Sequence, residues 1–177
     1  MDGYTPFRNV EAKNLVQEYV EVPTVLRSLH VPAGGRMLEV GCGRGIALGP
    51  LMRRCAPERL VGIDIDERLL SLAASRASDL GVELVRADVR QLPFADEEFD
   101  VVVDFGTLYH IDHSGQALRE ISRVLVPHGL LIHETPIAQL AAHPIRAFRH
   151  TVPWTVAPEL SPARKAVFWA SRMKVDS

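Results

Sequence analysis

The stretch Leu38-Glu39-Val40-Gly41-Cys42-Gly43-Arg44-Gly45 decides the fold of this chain. It begins as an apolar strand and continues into three alternating glycines, which permit a sharp turn because they have no Cβ to clash. A second apolar run, Leu60-Val61-Gly62-Ile63-Asp64, follows after a helical segment and ends in a carboxylate. This order of strand, glycine turn, helix and acid-ended strand is typical of an α/β unit that binds a nucleoside.

The rest of the chain continues the alternation of strands and helices. Strands are predicted at residues 37–40, 60–65, 82–87, 99–105 and 130–133. Helices are predicted at residues 46–55, from Asp66 to a stop near Gly81, and around residues 117–125, with a weak point at Gly49-Pro50 in the first of them. Strands that alternate with helices indicate a parallel sheet with right-handed crossovers.

The two ends of the chain are predicted from weaker patterns. Residues 10–29 read as two short helices separated near Pro23, with apolar stripes on each, namely Leu15, Val16, Tyr19 and Val20, then Val25, Leu26 and Leu29. Beyond residue 136, a helix at 137–150 and a strand at 152–156 are predicted, while 163–173 suits either a helix or a strand. We expect a helical cap at residues 1–35 and a cofactor-binding domain at residues 36–177.

Composition narrows the function classes. Of the 177 residues, 47% are hydrophobic and 24% charged, as in a globular protein, and the net charge of −2 does not favour nucleic acid or anionic lipid. Two cysteines, Cys42 and Cys55, cannot supply a four-ligand zinc site or a disulfide framework. With no signal-like start and no apolar run long enough to span a bilayer, a cytoplasmic location without membrane insertion is expected.

Two strand-end acids suit a nucleoside ligand. Asp64 lies where a carboxylate can accept hydrogen bonds from both ribose hydroxyls, and Asp88 lies where it can accept one from an exocyclic amine of a base. Alternatives remain open, because the glycines also suit a tight turn and Asp64 also suits helix capping. Asp66 is better placed for that capping role.

These residues resemble a known family. The chain is similar to Rossmann-like, class I S-adenosylmethionine-dependent methyltransferases, most of all to the ubiquinone- and menaquinone-biosynthesis type. The similar motifs are residues 39–45, 61–66, 86–89, 92–94, 99–102, 117–121 and 124–127. The resemblance implies a three-layer α/β sandwich with a mostly parallel, seven-stranded sheet, whose last two strands would be short or incomplete here.

The resemblance also implies a set of cofactor-binding residues. The turn of Gly41, Cys42, Gly43 and Gly45 would hold the methionine part of S-adenosyl-L-methionine, with Glu39 supporting the turn. Asp64 would bind the ribose, Ile65 would pack on adenine, and Asp88 with Val89 would recognise the adenine amine. The backbone at Phe105 would meet the methionine ammonium, and S-adenosyl-L-homocysteine would be the product.

The loop at residues 106–113 would lie beside the transferred methyl group. Tyr109 and His110 are therefore the candidate catalytic residues, with His110 suited to act as a base because its ordinary pKa is about 6.5. Packing against the next helix explains both residues equally well. His133 suits a structural role in its strand, and Tyr4, Phe7 and Tyr19 are candidates to close over the site, although Tyr19 suits ordinary helix packing better.

A small organic molecule is the expected acceptor. Asp104-Phe105-Gly106-Thr107 differs from the motif of enzymes that methylate amino groups of adenine or glutamine, and two cysteines are too few for arsenite chemistry. An NAD-dependent dehydrogenase would need glycine where Ile46 stands. The remaining alternative is a catalytically silent cofactor-binding module. A second subunit, as in a homodimer, is one way to cover the substrate.

Overall fold

The computed structural model describes residues 10–29, 31–108, 110–133, 165–168 and 174–176. Five strands form the body of one sheet, and all are parallel to their neighbours in the order β3-β2-β1-β4-β5. They are β1 (Arg36–Val40), β2 (Arg59–Asp64), β3 (Glu83–Arg86), β4 (Phe99–Asp104) and β5 (Leu125–His133). Their carboxyl ends meet at one edge of the sheet, where open α/β sheets bind ligands.

Two short strands extend the sheet beyond β5. β6 (Lys165–Phe168) runs parallel to β5, and β7 (Lys174–Asp176) pairs antiparallel with β6. The prediction of a mostly parallel sheet flanked by helices is confirmed. The count of seven strands depends on these two outer segments and stays a prediction. The predicted elements at residues 137–150 and 152–156 lie outside the described residues.

Helices cover both faces of the sheet, which makes three layers. On one face, a single apolar cluster joins the sheet to α2 (Val22–Ser28), α3 (Leu48–Cys55) and α4 (Glu67–Arg76). On the other face, α5 (Ser114–Val124) packs through Ala117, Leu118, Ile121 and Val124. Because α2 contributes to the first cluster, it belongs to the packed core; the domain division at residue 35 stays a prediction.

Several predicted element boundaries were wrong. α3 begins at Leu48, so Gly49 and Pro50 lie in its first turn, where proline does not interrupt an internal hydrogen bond. α4 ends at Arg76 and not near Gly81. β5 begins at Leu125 and includes residues 127–129, which were expected to be a turn before it; a register irregularity opposite Phe99 and Val101 accommodates them.

The first predicted apolar stripe was also wrong. Leu15, Tyr19 and Val20 are 58%, 64% and 53% exposed, whereas Val25, Leu26 and Leu29 are buried as expected. The chain stays helical from α1 (Val10–Val16) through a π-helical segment (Gln17–Glu21) into α2, with Pro23 in the first turn of α2. Since a π turn is wider than an α turn, a stripe read at 3.6 residues per turn does not continue across it.

None of the helices in the described part of the chain combines the length and the apolar character that crossing a membrane requires.

Candidate functional site

The glycine turn leaves β1 at the carboxyl edge of the sheet and leads towards α3. Gly41, Gly43 and Gly45 have φ angles of 65°, 53° and 74°, a region that residues with a Cβ rarely adopt. At Gly41 the crowding is also severe, since an added Cβ would lie 1.8 Å from Oγ1 of Thr107. At Gly43, in contrast, an added Cβ would meet nothing nearer than a carbonyl oxygen at 4.0 Å, so the backbone there is open to a ligand.

Asp64 connects the glycine turn to the tip of β2. The amide N–H of Gly43 donates to Oδ2 of Asp64 at 2.8 Å, and the N–H of Asp66 donates to Oδ1 at 2.9 Å. Each carboxylate oxygen has a second lone pair, so Asp64 retains the capacity to accept from a ligand hydroxyl. Asp66 caps α4 as predicted, since its side chain accepts from the N–H of Arg68 at 2.9 Å.

The residues expected to contact the adenine ring differ in their exposure and in their hydrogen bonding. Ile65 is 59% exposed, which leaves an uncovered apolar side chain at this edge. Asp88 is held by Arg90, whose backbone N–H and Nε each donate to Oδ1 at 2.9 Å and whose Nη2 donates to Oδ2 at 2.6 Å. The hydrogen bonds from Arg90 lower the pKa of Asp88, so it is a carboxylate that can only accept. Val89 is buried.

Glu39 is enclosed beneath the turn. It is 3% exposed, and its Oε2 is buried without a hydrogen-bond partner in the described residues. Burial, followed by the charges of Asp104 and Asp64, raises the pKa of Glu39 to about 8. Burial and the charge of Glu39 also raise the pKa of the Cys42 thiol, so this cysteine is not a nucleophile and serves as a packed apolar group of the turn.

Asp104 and His133 form a pair that the sequence analysis did not anticipate. The side chain of Asp104 is fully buried, lies 2.7 Å from Nδ1 of His133 and accepts from the backbone N–H of Thr107 at 2.6 Å. The two residues are register partners on β4 and β5. The contact ties His133 to Asp104 within the sheet, and the structural role expected for this histidine stays a prediction. The available signal was that β4, like β2, ends in an aspartate.

The candidate acceptor loop follows Asp104. Phe105 is partly buried at its start, and the Thr107 hydroxyl donates to the carbonyl oxygen of Gly41 at 3.4 Å, so this loop contacts the glycine turn. His110 is exposed and its N–H donates to the carbonyl oxygen of Thr107 at 2.9 Å. Tyr109, Tyr4 and Phe7 lie outside the described residues. Tyr19 is exposed, so the expectation of helix packing for it was wrong.

An open cavity of about 570 Å³ lies next to the glycine turn. α1 and the π-helical segment form one wall, α4 forms another, and Arg44 of the turn reaches into it. Its lining combines apolar, polar and charged side chains, namely Leu15 and Leu72, Asn14 and Ser75, and Glu11, Glu18, Arg44 and Arg76. The cavity therefore offers an amphipathic surface beside the candidate cofactor site.

The family of methyltransferase domains matches residues 38–133, which include the turn, Asp64, Asp88, Asp104 and His133. The chain belongs to this family. The match covers more than half of the chain and confirms the resemblance to class I S-adenosylmethionine-dependent methyltransferases. It also agrees with the layered fold described above.

Individual relatives share the same region. A phthiotriol/phenolphthiotriol dimycocerosates methyltransferase of Mycobacterium ulcerans is 37% identical over 101 residues, covering 57% of this chain and 37% of the relative. A fatty-acid O-methyltransferase of Mycolicibacterium smegmatis is 33% identical over 100 residues, covering 56% and 36%. The chain thus spans little more than a third of the length of these relatives.

A solved structure supports the fold alone. A protein from Methanococcus maripaludis superposes with a TM-score of 0.61 at 16% identity, covering 75% of this chain and 68% of the other.

The described residues also fit the cofactor that this family implies. Gly43 leaves room at the turn, Ile65 offers an uncovered apolar surface, and Glu39 has a buried oxygen without a partner.

Proposed function

We propose that the chain is a methyltransferase that uses S-adenosyl-L-methionine and acts on a small, partly apolar acceptor. The observation that carries the proposal is the hydrogen bond from Gly43 to Asp64, which joins an open glycine turn to a strand-end carboxylate. That carboxylate retains acceptor capacity for a ribose, next to an exposed Ile65 suited to adenine. The membership of the methyltransferase-domain family supports it.

Each side chain has a role in this proposal. The glycine turn, with Cys42 packed beneath it, allows close approach of the methionine part, and Asp64 binds the ribose hydroxyls. Ile65 packs on adenine, and Asp88 with Val89 recognises the adenine amine, while Arg90 lowers the pKa of the Asp88 carboxylate. The backbone of Phe105 and the carboxyl group of Glu39 face the methionine ammonium.

The chemistry requires alignment more than acid–base work. When bound, the cofactor would supply a methyl group on a positively charged sulfur, with the neutral thioether as the leaving group. The chain positions the two reactants and excludes water from between them. Tyr109 and His110 are proposed to line the acceptor, with His110 accepting a proton where the acceptor has one to lose. S-adenosyl-L-homocysteine remains as the product.

The acceptor class is inferred from the cavity and the relatives. Leu15 and Leu72 line the cavity beside the turn with apolar surface, while Arg44 and Asn14 provide polar contacts. The two mycobacterial relatives are named for a lipid and for a fatty acid. We therefore propose a lipid-like or other partly apolar acceptor, bound beside the helices at residues 10–28, with a homodimer as one way to complete the cover.

Ligand-induced stabilisation tests cofactor binding. At about 100 times its dissociation constant a ligand adds roughly 2.7 kcal/mol, which for a chain of this size raises Tm by about 5–11 °C. We expect this shift with S-adenosyl-L-homocysteine and none with NAD. Asp64→Ala should abolish the shift, whereas Asp79→Ala, an exposed carboxylate after α4, should retain it. A full shift in Asp64→Ala would contradict the ribose assignment.

Turnover separates an enzyme from a silent binding module. The protein with S-adenosyl-L-methionine should transfer a methyl group to members of a panel of fatty acids, hydroxylated lipids and phenols, detected by mass spectrometry. Stabilisation by the cofactor without transfer to any panel member would favour the silent module. An NAD-induced shift would overturn both readings in favour of a dehydrogenase.

A further inference from the structure

Glu39 is a buried acid that forms no ion pair within the described part of the chain. It lies in β1, with Val40 between it and the first glycine of the turn, and its Oε2 has no hydrogen-bond partner in the described residues. Leaving a carboxylate in such a place is costly, because a buried charge needs a partner of opposite sign or several hydrogen bonds. A glutamic acid that keeps its proton avoids most of this cost.

The groups that face Glu39 are also acidic. Asp104 approaches from the end of β4 and Asp64 from the end of β2, and both act to keep the proton on Glu39. From the turn, the Cys42 thiol is close enough for its own ionisation to be opposed by Glu39. Asp104 itself lies 2.7 Å from Nδ1 of His133 through its Oδ2. The carboxyl edge thus concentrates acids around one enclosed oxygen.

We propose that Glu39 is protonated in the ligand-free protein and loses this proton when the cationic ammonium end of the cofactor binds at the glycine turn. On binding, the ammonium group of the cofactor thus replaces the proton of Glu39 as the positive charge beneath the turn. The proton leaves to solvent as the ammonium group arrives, and Glu39 becomes the carboxylate that faces it. This inference rests on the proposed function, because it requires the ammonium-bearing cofactor.

The direction of the pH dependence follows from linkage. When binding releases a proton, a higher pH favours the complex, so affinity should rise as pH increases. Burial and the two aspartates raise the pKa of Glu39 to about 8, so the rise should level off near that pH. Below it, the limiting change for one proton is about tenfold in the dissociation constant per pH unit.

Calorimetry on the whole chain counts the proton directly. S-adenosyl-L-homocysteine is titrated at pH 7 into the wild-type protein in phosphate and in Tris, which differ in their enthalpy of ionisation. The difference in observed heat gives the number of protons released, and we expect between about one half and one. Glu39→Gln should bind with no proton release, and Glu58→Gln, an exposed glutamate on the other edge, should match the wild type.

The outcomes separate this inference from the proposed function. Failure of the wild-type protein to bind S-adenosyl-L-homocysteine overturns the proposed function. Binding with no proton release, or an equal release from Glu39→Gln, overturns the role of Glu39 while cofactor binding stands. If Glu39→Gln does not fold, an infrared difference spectrum of the wild type decides. Loss of a protonated-carboxyl band on binding supports the proposal, and an unchanged band overturns it.

Discussion

The two edges of the sheet differ in how their charged side chains are paired. At the amino edge, Arg36 binds Asp100, and Arg59 binds both Glu83 and Glu98, so each arginine has a carboxylate partner. At the carboxyl edge, the acids Glu39, Asp64 and Asp104 gather near one another. Among the described residues, the acids named at the amino edge all pair with an arginine, whereas no arginine or lysine forms an ion pair with Glu39, Asp64 or Asp104. This difference supports the proposal that the carboxyl edge is the one that binds the cofactor.

The largest loss of stability is expected from a substitution at the carboxyl edge, at Gly41. In Gly41→Ala, the unfavourable φ of 65° and a Cβ placed 1.8 Å from Oγ1 of Thr107 act together. The left-handed conformation costs about 1–2 kcal/mol and overpacking about 1–3 kcal/mol more, so unfolding by urea should show a loss of about 2–5 kcal/mol.

Gly81→Ala is the matched control for that substitution. Gly81 has a similar φ of 67°, but an added Cβ there would have nothing within 4 Å. It should therefore lose only the conformational term of about 1–2 kcal/mol. Equal losses at the two glycines would show that the contact with Thr107 does not constrain the turn.

The next effect concerns how the free energy of unfolding of the ligand-free protein depends on pH. Unfolded glutamate titrates near 4.5, while burial, then Asp104 and Asp64, raise the pKa of folded Glu39 to about 8. Between these values the folded state holds the extra proton, so the free energy of unfolding falls as pH rises. The loss should be on the order of 1 kcal/mol per pH unit, hence about 2–3 kcal/mol from pH 5 to pH 8.

Glu39→Gln should remove this slope, since an amide does not titrate. Urea unfolding at several pH values compares the two proteins, and the variant should gain stability over the wild type as pH increases. Parallel curves for the two proteins would place the titrating group elsewhere.

A smaller effect is expected at the amino edge. Arg59 donates two hydrogen bonds of 2.9 Å to Glu83 and one of 2.6 Å to Glu98, and its guanidinium lies 5.6 Å from the ring centre of Phe99. Because the side chain is partly exposed, Arg59→Gln should cost about 1 kcal/mol, less at high salt. Cofactor affinity should not change, and a marked loss of affinity would show that the edges are coupled.

The smallest predicted effect concerns Asp100, for which stability is lost as pH falls and not, as for Glu39, as pH rises. Hydrogen bonds from Arg36 lower the pKa of Asp100 below its usual 3.8, so its stabilisation is present above that pH and is lost as pH falls further. Solvent screening limits the contribution to less than about 1 kcal/mol. Asp100→Asn should therefore flatten the acid limb of the stability curve, while leaving the slope between pH 5 and pH 8 unchanged. A change in that slope would contradict the assignment to Glu39.

Local patterns predicted the central fold because each signal lies within a few residues. The apolar runs of β1, β2 and β4 and the capping role of Asp66 are of this kind. The exposed stripe of Leu15 and Tyr19 was misjudged because the π-helical segment changes the helical period without a signature in the sequence.

The details of the site were harder to predict because they depend on contacts between distant residues. The pair of Asp104 and His133 depends on the register between β4 and β5. The buried oxygen of Glu39, which has no hydrogen-bond partner among the described residues, depends on every element packed around it. The positions of Asp64 and Asp88 at the ends of strands could be identified from the sequence. The engagement of Asp88 by Arg90 only two residues away was within reach of sequence reasoning and was missed.

The contact between Thr107 and Gly41 constrains how this domain can diversify. Thr107 belongs to the loop proposed to meet the acceptor, yet its side chain fills the space that the missing Cβ of Gly41 leaves. A bulkier residue at position 107 would push on the turn as well as on the acceptor. Divergence towards new acceptors should thus proceed through exposed positions such as His110 and Leu15, where a change leaves the turn untouched.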